Sequence, residues 1–178
     1  LLLILANQAF GDRNSEEGYS YFKRIDPKSL EGSSNRYEYI EKIFFLNMMK
    51  QLATNLASSG YGQDAINMAE QFVNKEERVY TYLFMAESVY QQDANPDAFI
   101  YLDSAFSYAN RIDFTSLNFG LDSRYNMILL LSRMGGSEIN SKAVEILREI
   151  PEQGKFDAIL ARVVGVAYEG NYYQARMS

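Results

Sequence analysis

The chain has no cysteine and no histidine among its 178 residues. Without cysteine there is no disulfide framework, thiolate metal site or thiol nucleophile, and the redox compartment leaves no mark on the sequence. Without histidine the usual general base at neutral pH and a common transition-metal ligand are missing too. Carboxylates, Lys, Tyr and Ser are what remains for chemistry. No apolar run approaches the roughly 20 residues a membrane-spanning helix needs. Strand-like alternation of Val, Ile and Thr is nearly missing. A basic excess is lacking as well: the net charge is −6, which argues against nucleic acid, whose phosphates require a basic stripe.

What is present is ordinary for one globular domain over residues 1–178, with 47% apolar and 22% charged residues. The charge is unevenly placed. Residues 1–60 and 121–178 each carry seven basic and seven acidic side chains. The whole excess lies in 61–120, where Lys75, Arg78 and Arg111 face nine acids, among them Asp64, Glu70, Glu77 and Glu87. A field of that sign attracts a cationic partner and repels anionic membranes; the simpler reading is a solvated acidic face. The apolar opening Leu1–Leu5 could be the tail of a secretory signal, which would imply a secreted or periplasmic protein. Against that stand the missing basic n-region and Asn7 near the site a cleavage motif would use, so a cytoplasmic setting is favoured. The start on Leu1 and the close at Ser178 within a helical pattern suggest a piece of a longer chain.

Helical periodicity runs from end to end. Over 38–57, Ile40, Ile43, Phe44, Met48, Leu52, Ala53 and Leu56 form an apolar face expected to pack on neighbours, and Gly60 is placed to cap that helix. A further helix is expected from Gly62 to Asp64 onward. Another begins at Asn95, Pro96 and Asp97, which supply an N-cap, a first-turn proline and an acid near the helix dipole. A helix carrying Ala143, Ile146, Leu147 and Ile150 should stop at Pro151.

Small residues recur in pairs twelve apart: Ala6 with Gly18, Ala53 with Ala65, Ala86 with Ala98, and Leu131 with Ala143 as a weaker copy. Pairs of this kind mark helical hairpins, since two helices approach closely only where side chains are small. A triplet at plus four and plus three follows: Gly18, Phe22, Ile25; Ala65, Ala69, Phe72; Ala105, Ala109, Ile112; Ala143, Leu147, Ile150. Its copies start 47, 40 and 38 residues apart, so about ten helices in five antiparallel pairs are expected.

Residues 82–105 resemble a tetratricopeptide repeat: Tyr82, Met85, Ala86, Val89, Ala98, Leu102 and Ala105 stand at that family's aromatic, Leu, small, Tyr, Ala, aromatic and Ala positions. The likeness is good in that unit and loose elsewhere; the family's Trp and closing Pro are not found. It implies an all-α, right-handed superhelix of about five antiparallel hairpins whose first helices line a concave groove. Carried onto this sequence, the groove positions are Tyr80, Leu83, Glu87, Tyr90 and Gln91, joined by Asn47, Lys50 and Thr54, then Tyr125, Ile128 and Ser132.

A tyrosine-lined acidic groove suits an extended basic peptide or a helix with cations on one side; the alternative for such tyrosines is half-buried packing. The expectation is a non-catalytic scaffold for protein-protein interaction that needs no cofactor or metal and binds a protein or peptide segment, a basic one if the acids line the groove. The alternative is a regulatory or sensor segment of a larger multidomain enzyme, touching further domains of its own chain. Catalytic signals are weak. The carboxylate pairs Glu76 with Glu77 and Asp93 with Asp97 have no cleft to favour them, and Gly135, Gly136 and Ser137 lack the lysine of a phosphate loop.

Overall fold

Three-and-four apolar spacing becomes helix throughout the part of the chain that the computed structural model describes, which is residues 1–30, 39–92 and 95–109 with Leu131, Met134, Ile139 and Ser141. The helices are α1 (Leu2–Gly11), α2 (Ser15–Phe22), α3 (Pro27–Leu30), α4 (Tyr39–Ser58), α5 (Gly62–Glu70), α6 (Lys75–Tyr90) and α7 (Asp97–Ala109). There is no strand among the described residues. The helix expected before Pro151, Ala143, Ile112, Tyr125, Ile128 and Ser132 lie outside them.

Local chemistry sets the boundaries. Three helices start on an asparagine cap: Asn14 Oδ1 accepts from the Glu17 amide at 3.3 Å, Asn74 Oδ1 from Glu76 at 2.8 Å, and Asn95 Oδ1 from Asp97 at 3.0 Å. Helix α4 stops at Gly60, whose φ of 85° is left-handed. The Tyr61 amide donates to the Leu56 carbonyl at 2.9 Å and the Gly60 amide to Ala57 at 3.2 Å, a Schellman closure. Helix α1 closes in the same way. There the Asn14 amide donates to Ala9 at 2.9 Å and Arg13 to Phe10 at 3.0 Å, and Arg13 takes the left-handed position with φ 61°.

The helices pack as α1 with α2, α4 with α5, and α6 with α7, and α4 lies between α1 and α6. Small residues fill the seams: Ala6, Ala53, Ala65, Ala86 and Ala98 have no exposed surface. At Gly18 a Cβ would stand 2.8–3.0 Å from three atoms of the Phe10 ring, so only hydrogen fits. Ala6 to Ala53, Arg13 to Gly60 and Gly18 to Ala65 share one offset of 47 residues, so the two seams and the left-handed helix ends of the first two hairpins fall at matching positions. Helix α3, which the repeat spacing does not predict, sits in the connection between them. Leu131 is fully buried.

Hydrophobic burial joins the hairpins into one core that includes Leu52, Leu56, Phe72, Tyr82, Leu83, Met85 and Leu102. A buried polar tie links α1 to α4. Asn7 Nδ2 donates to the Met48 carbonyl at 2.9 Å and to Leu3 at 3.1 Å, while Asn7 Oδ1 accepts from Asn55 Nδ2 at 3.0 Å. One expectation for α4 is corrected. Ile43 and Phe44 do not pack inward; they are 42% and 58% exposed. Phe44 precedes Ala53 by nine residues, about two and a half turns, so it points away from the seam that buries Ala53.

Candidate functional site

The side-by-side placement of α1, α4 and α6 gives these first helices of the hairpins a shared outer face. On each helix the exposed residues lie away from the buried row. On α1 they include Ile4 and Gln8, beside the buried Ala6, Ala9 and Phe10. Among the described side chains, those on α4 are Ile43, Phe44, Asn47 and Gln51, and on α6 Phe84, with Gln91 just past its end, while Lys75, also exposed on α6, lies about half a turn from Phe84. Among the described residues, the exposed large apolar side chains Ile4, Ile43, Phe44 and Phe84 lie on these three helices, Leu1 precedes α1, and Val73 and Ile100 lie elsewhere.

The groove positions carried over from the tetratricopeptide resemblance divide on this framework. Asn47 and Gln91 are exposed on the outer face, while Tyr80 and Tyr90 are half-buried, with Tyr90 edge-on to Phe99 at 6.4 Å. Leu83 is a correction: it has no exposed surface. It lies about 100° around the helix from Phe84, on the side that faces the core, so Phe84 takes the outer position that Leu83 was expected to hold. Glu87 is a second correction, buried at 7% exposure. Lys50 is half-buried and its ammonium sits 2.8 Å from Glu77 Oε2, tying α4 to α6; Thr54 caps back onto the Lys50 carbonyl at 2.9 Å.

Several acids of the central segment are engaged within the fold. Glu70 gathers three partners. Oε1 accepts from the hydroxyls of Tyr82 and Tyr108, both at 2.7 Å, and Oε2 lies 3.0 Å from the Arg78 guanidinium. Arg78 also donates to the Phe72 and Glu70 carbonyls and lies over the Tyr108 ring at 4.9 Å. Asp64 accepts from the Tyr19 hydroxyl at 2.9 Å and from Lys23 at 3.2 Å. Tyr19 in turn stacks on Tyr61 at 3.8 Å. Burial, then the hydrogen bond to Glu70, pushes the Tyr82 phenol far above its ordinary value. Burial also raises the Tyr101 phenol, helped by the charge of Asp97. Sequence reading missed the Glu70 hub because it joins three helices, Glu70 on α5 with Arg78 and Tyr82 on α6 and Tyr108 on α7.

A cleft of about 230 Å³ opens between α2, α3 and α5, walled by Phe22, Ile25, Pro27, Leu30 and Met68 with Lys23 and Asp64 at its rim. That is below the size of a pocket for a drug-sized ligand. Of the carboxylate pairs, Glu77 is held by Lys50, Glu76 and Asp97 stand in first turns where their amides are capped, and Asp93 lies outside the described residues. Among the described residues no group of three potential metal ligands converges, and no helix is long and apolar enough to cross a membrane. Comparison with known protein families, with curated proteins and with solved structures returned no match.

Proposed function

We propose that this chain is a non-catalytic interaction scaffold that binds a protein segment across the outer face of α1, α4 and α6. The observation that carries the reading is the concentration of exposed apolar side chains, Ile4, Ile43, Phe44 and Phe84, on those three helices, since apolar surface rimmed by polar side chains marks a site of association. The described hairpins are then consecutive units of a tetratricopeptide-like solenoid of about five, wound as a right-handed superhelix with this face on the concave side. Support comes from the 47-residue offset of the first two units and the burial of every small residue of the described twelve-residue pairs. Stacked hairpins would act by holding face residues in fixed register, which lowers the ordering cost of binding.

The test is selection of a displayed random-peptide library on the wild-type chain, counted against Phe44→Ser combined with Phe84→Ser. Clones that hold to the wild type and leave the variant are expected, with the variant's far-ultraviolet circular dichroism unchanged. Clones that bind both proteins equally would discard the face.

A further inference from the structure

The cleft of about 230 Å³ among α2, α3 and α5 takes no part in the proposed face, which is built from α1, α4 and α6. Its walls are Phe22, Ile25, Pro27, Leu30 and Met68. Leu30 and Met68 are only 8% and 3% exposed, so the deepest part of the cleft is apolar. One polar group at its rim has capacity left. Asp64 Oδ2 accepts both the Tyr19 hydroxyl at 2.9 Å and the Lys23 ammonium at 3.2 Å. Its other oxygen, Oδ1, takes no hydrogen bond from any described residue, and the side chain is 22% exposed. Asp64 and Met68 are four residues apart on α5, which sets that acceptor about one helical turn above the apolar floor.

We propose that this cleft is a binding site for a small molecule with one aromatic ring system and one N–H or O–H donor, of which indole and phenol are the simplest. Size sets the first requirement. An apolar cavity of about 150 Å³ takes benzene, so about 230 Å³ holds a ring with a substituent or a fused second ring. The walls favour an aromatic ring over an aliphatic chain: the Phe22 ring offers an aromatic pair, and the Met68 thioether a sulfur contact to a ring edge. Asp64 sets the donor. A carboxylate oxygen accepts a stronger hydrogen bond than a neutral one does, and a ligand without a donor would cover Oδ1 and leave it unsatisfied. A ring resting on Met68 brings its N–H or O–H to that oxygen across the single turn between the two residues. The site is separate from the scaffold face and does not rest on it.

Two-dimensional NMR of the isotope-labelled chain, titrated with indole, reads the site directly. The amides of Ile25, Leu30 and Met68 should shift together and saturate with a Kd of about 1 mM, the strength expected of a ligand of about nine heavy atoms. N-methylindole, which keeps the rings and lacks the donor, should bind about tenfold more weakly. Cyclohexanol should bind about fivefold more weakly than phenol. Asn67→Trp, at an exposed position on the rim, should occlude the cleft and abolish the shifts with an unchanged far-ultraviolet circular dichroism spectrum. Phe44→Ser combined with Phe84→Ser should leave the indole titration as it is, so the cleft and the scaffold face fail separately. No saturating shift at these amides, or shifts that survive Asn67→Trp, would overturn the site. Equal binding of N-methylindole would overturn the role of Asp64, and equal binding of cyclohexanol the choice of an aromatic ring. Tighter binding of a capped Gly-Trp-Gly peptide than of indole would overturn the small-molecule ligand and assign the cleft to a partner's side chain.

Discussion

Gly18→Ala measures how much of the hairpin seam depends on a missing methyl group. An added Cβ would stand 2.8, 2.9 and 3.0 Å from three atoms of the Phe10 ring, where carbon atoms prefer about 3.5–4.0 Å. Those ring atoms include Cγ, the root of the side chain, and Phe10 is buried, so the ring cannot swing aside freely. Overpacking of this kind costs about 1–3 kcal/mol. Alanine in mid-helix returns about 1 kcal/mol of that. A net loss of about 1 kcal/mol is expected, or about 2–4 °C in thermal midpoint for a chain of this size. Gly11→Ala is the matched control, because a Cβ there meets nothing within 4 Å; it should gain about 0.4–1 kcal/mol by restricting the unfolded chain. Urea titration of both variants followed by circular dichroism gives the difference directly. Combining Gly18→Ala with Phe10→Val should recover at least about 1 kcal/mol through coupling of the two sites. If Gly18→Ala proves as stable as Gly11→Ala, the small residues of the twelve-residue pairs are not there for close approach, and the seam explanation fails.

The remaining predictions concern strain, the Glu70 hub and pH. Arg13 occupies a left-handed position with φ 61° that the equivalent Gly60 fills without strain, so Arg13→Gly should stabilise by up to about 1 kcal/mol and Gly60→Ala should destabilise by a similar amount; equal midpoints for both would contradict it. Glu70→Gln turns one oxygen that faces Arg78 and Tyr108 into a donor, and because that carboxylate is 37% exposed a loss of only about 1 kcal/mol is expected, read from the urea midpoint; an unchanged midpoint would show that the hub is ornamental. Tyr82 has a folded-state pKa raised above its ordinary 10.0, so its contribution is fully present below pH 10 and is lost as pH rises beyond it, when the unfolded chain ionises and the folded chain does not. Stability between pH 9 and 11 should therefore fall less steeply in Tyr82→Phe than in the wild type, and identical slopes would refute the assignment.

Much of the fold was legible because its determinants are local. Gly60 as a stop and Asn95 with Pro96 as a start need only their neighbours, and the twelve-residue pairs express a steric demand within one hairpin. The roles of side chains around each helix were less legible. Leu83 and Phe84 are adjacent and both apolar, and only the positions of α4 and α7 decide which one is covered. Ile43 and Phe44 fit the apolar period of α4 yet fall outside its buried arc, since periodicity marks a stripe without saying how wide a neighbour covers it. The partners of the acids were hidden for a related reason. Lys23 reaches Asp64 across 41 residues and Tyr108 reaches Glu70 across 38, distances over which sequence alone gives no pairing.

The composition of α1 did hold a signal that the charge count concealed. Leu2–Gly11 carries no Asp, Glu, Lys or Arg, and its polar side chains are Asn7 and Gln8. Asn7 is consumed by the tie to α4, which leaves Ile4 and Gln8 facing outward. A helix kept only for solubility would place charges there, as α2 does with Glu16 and Glu17.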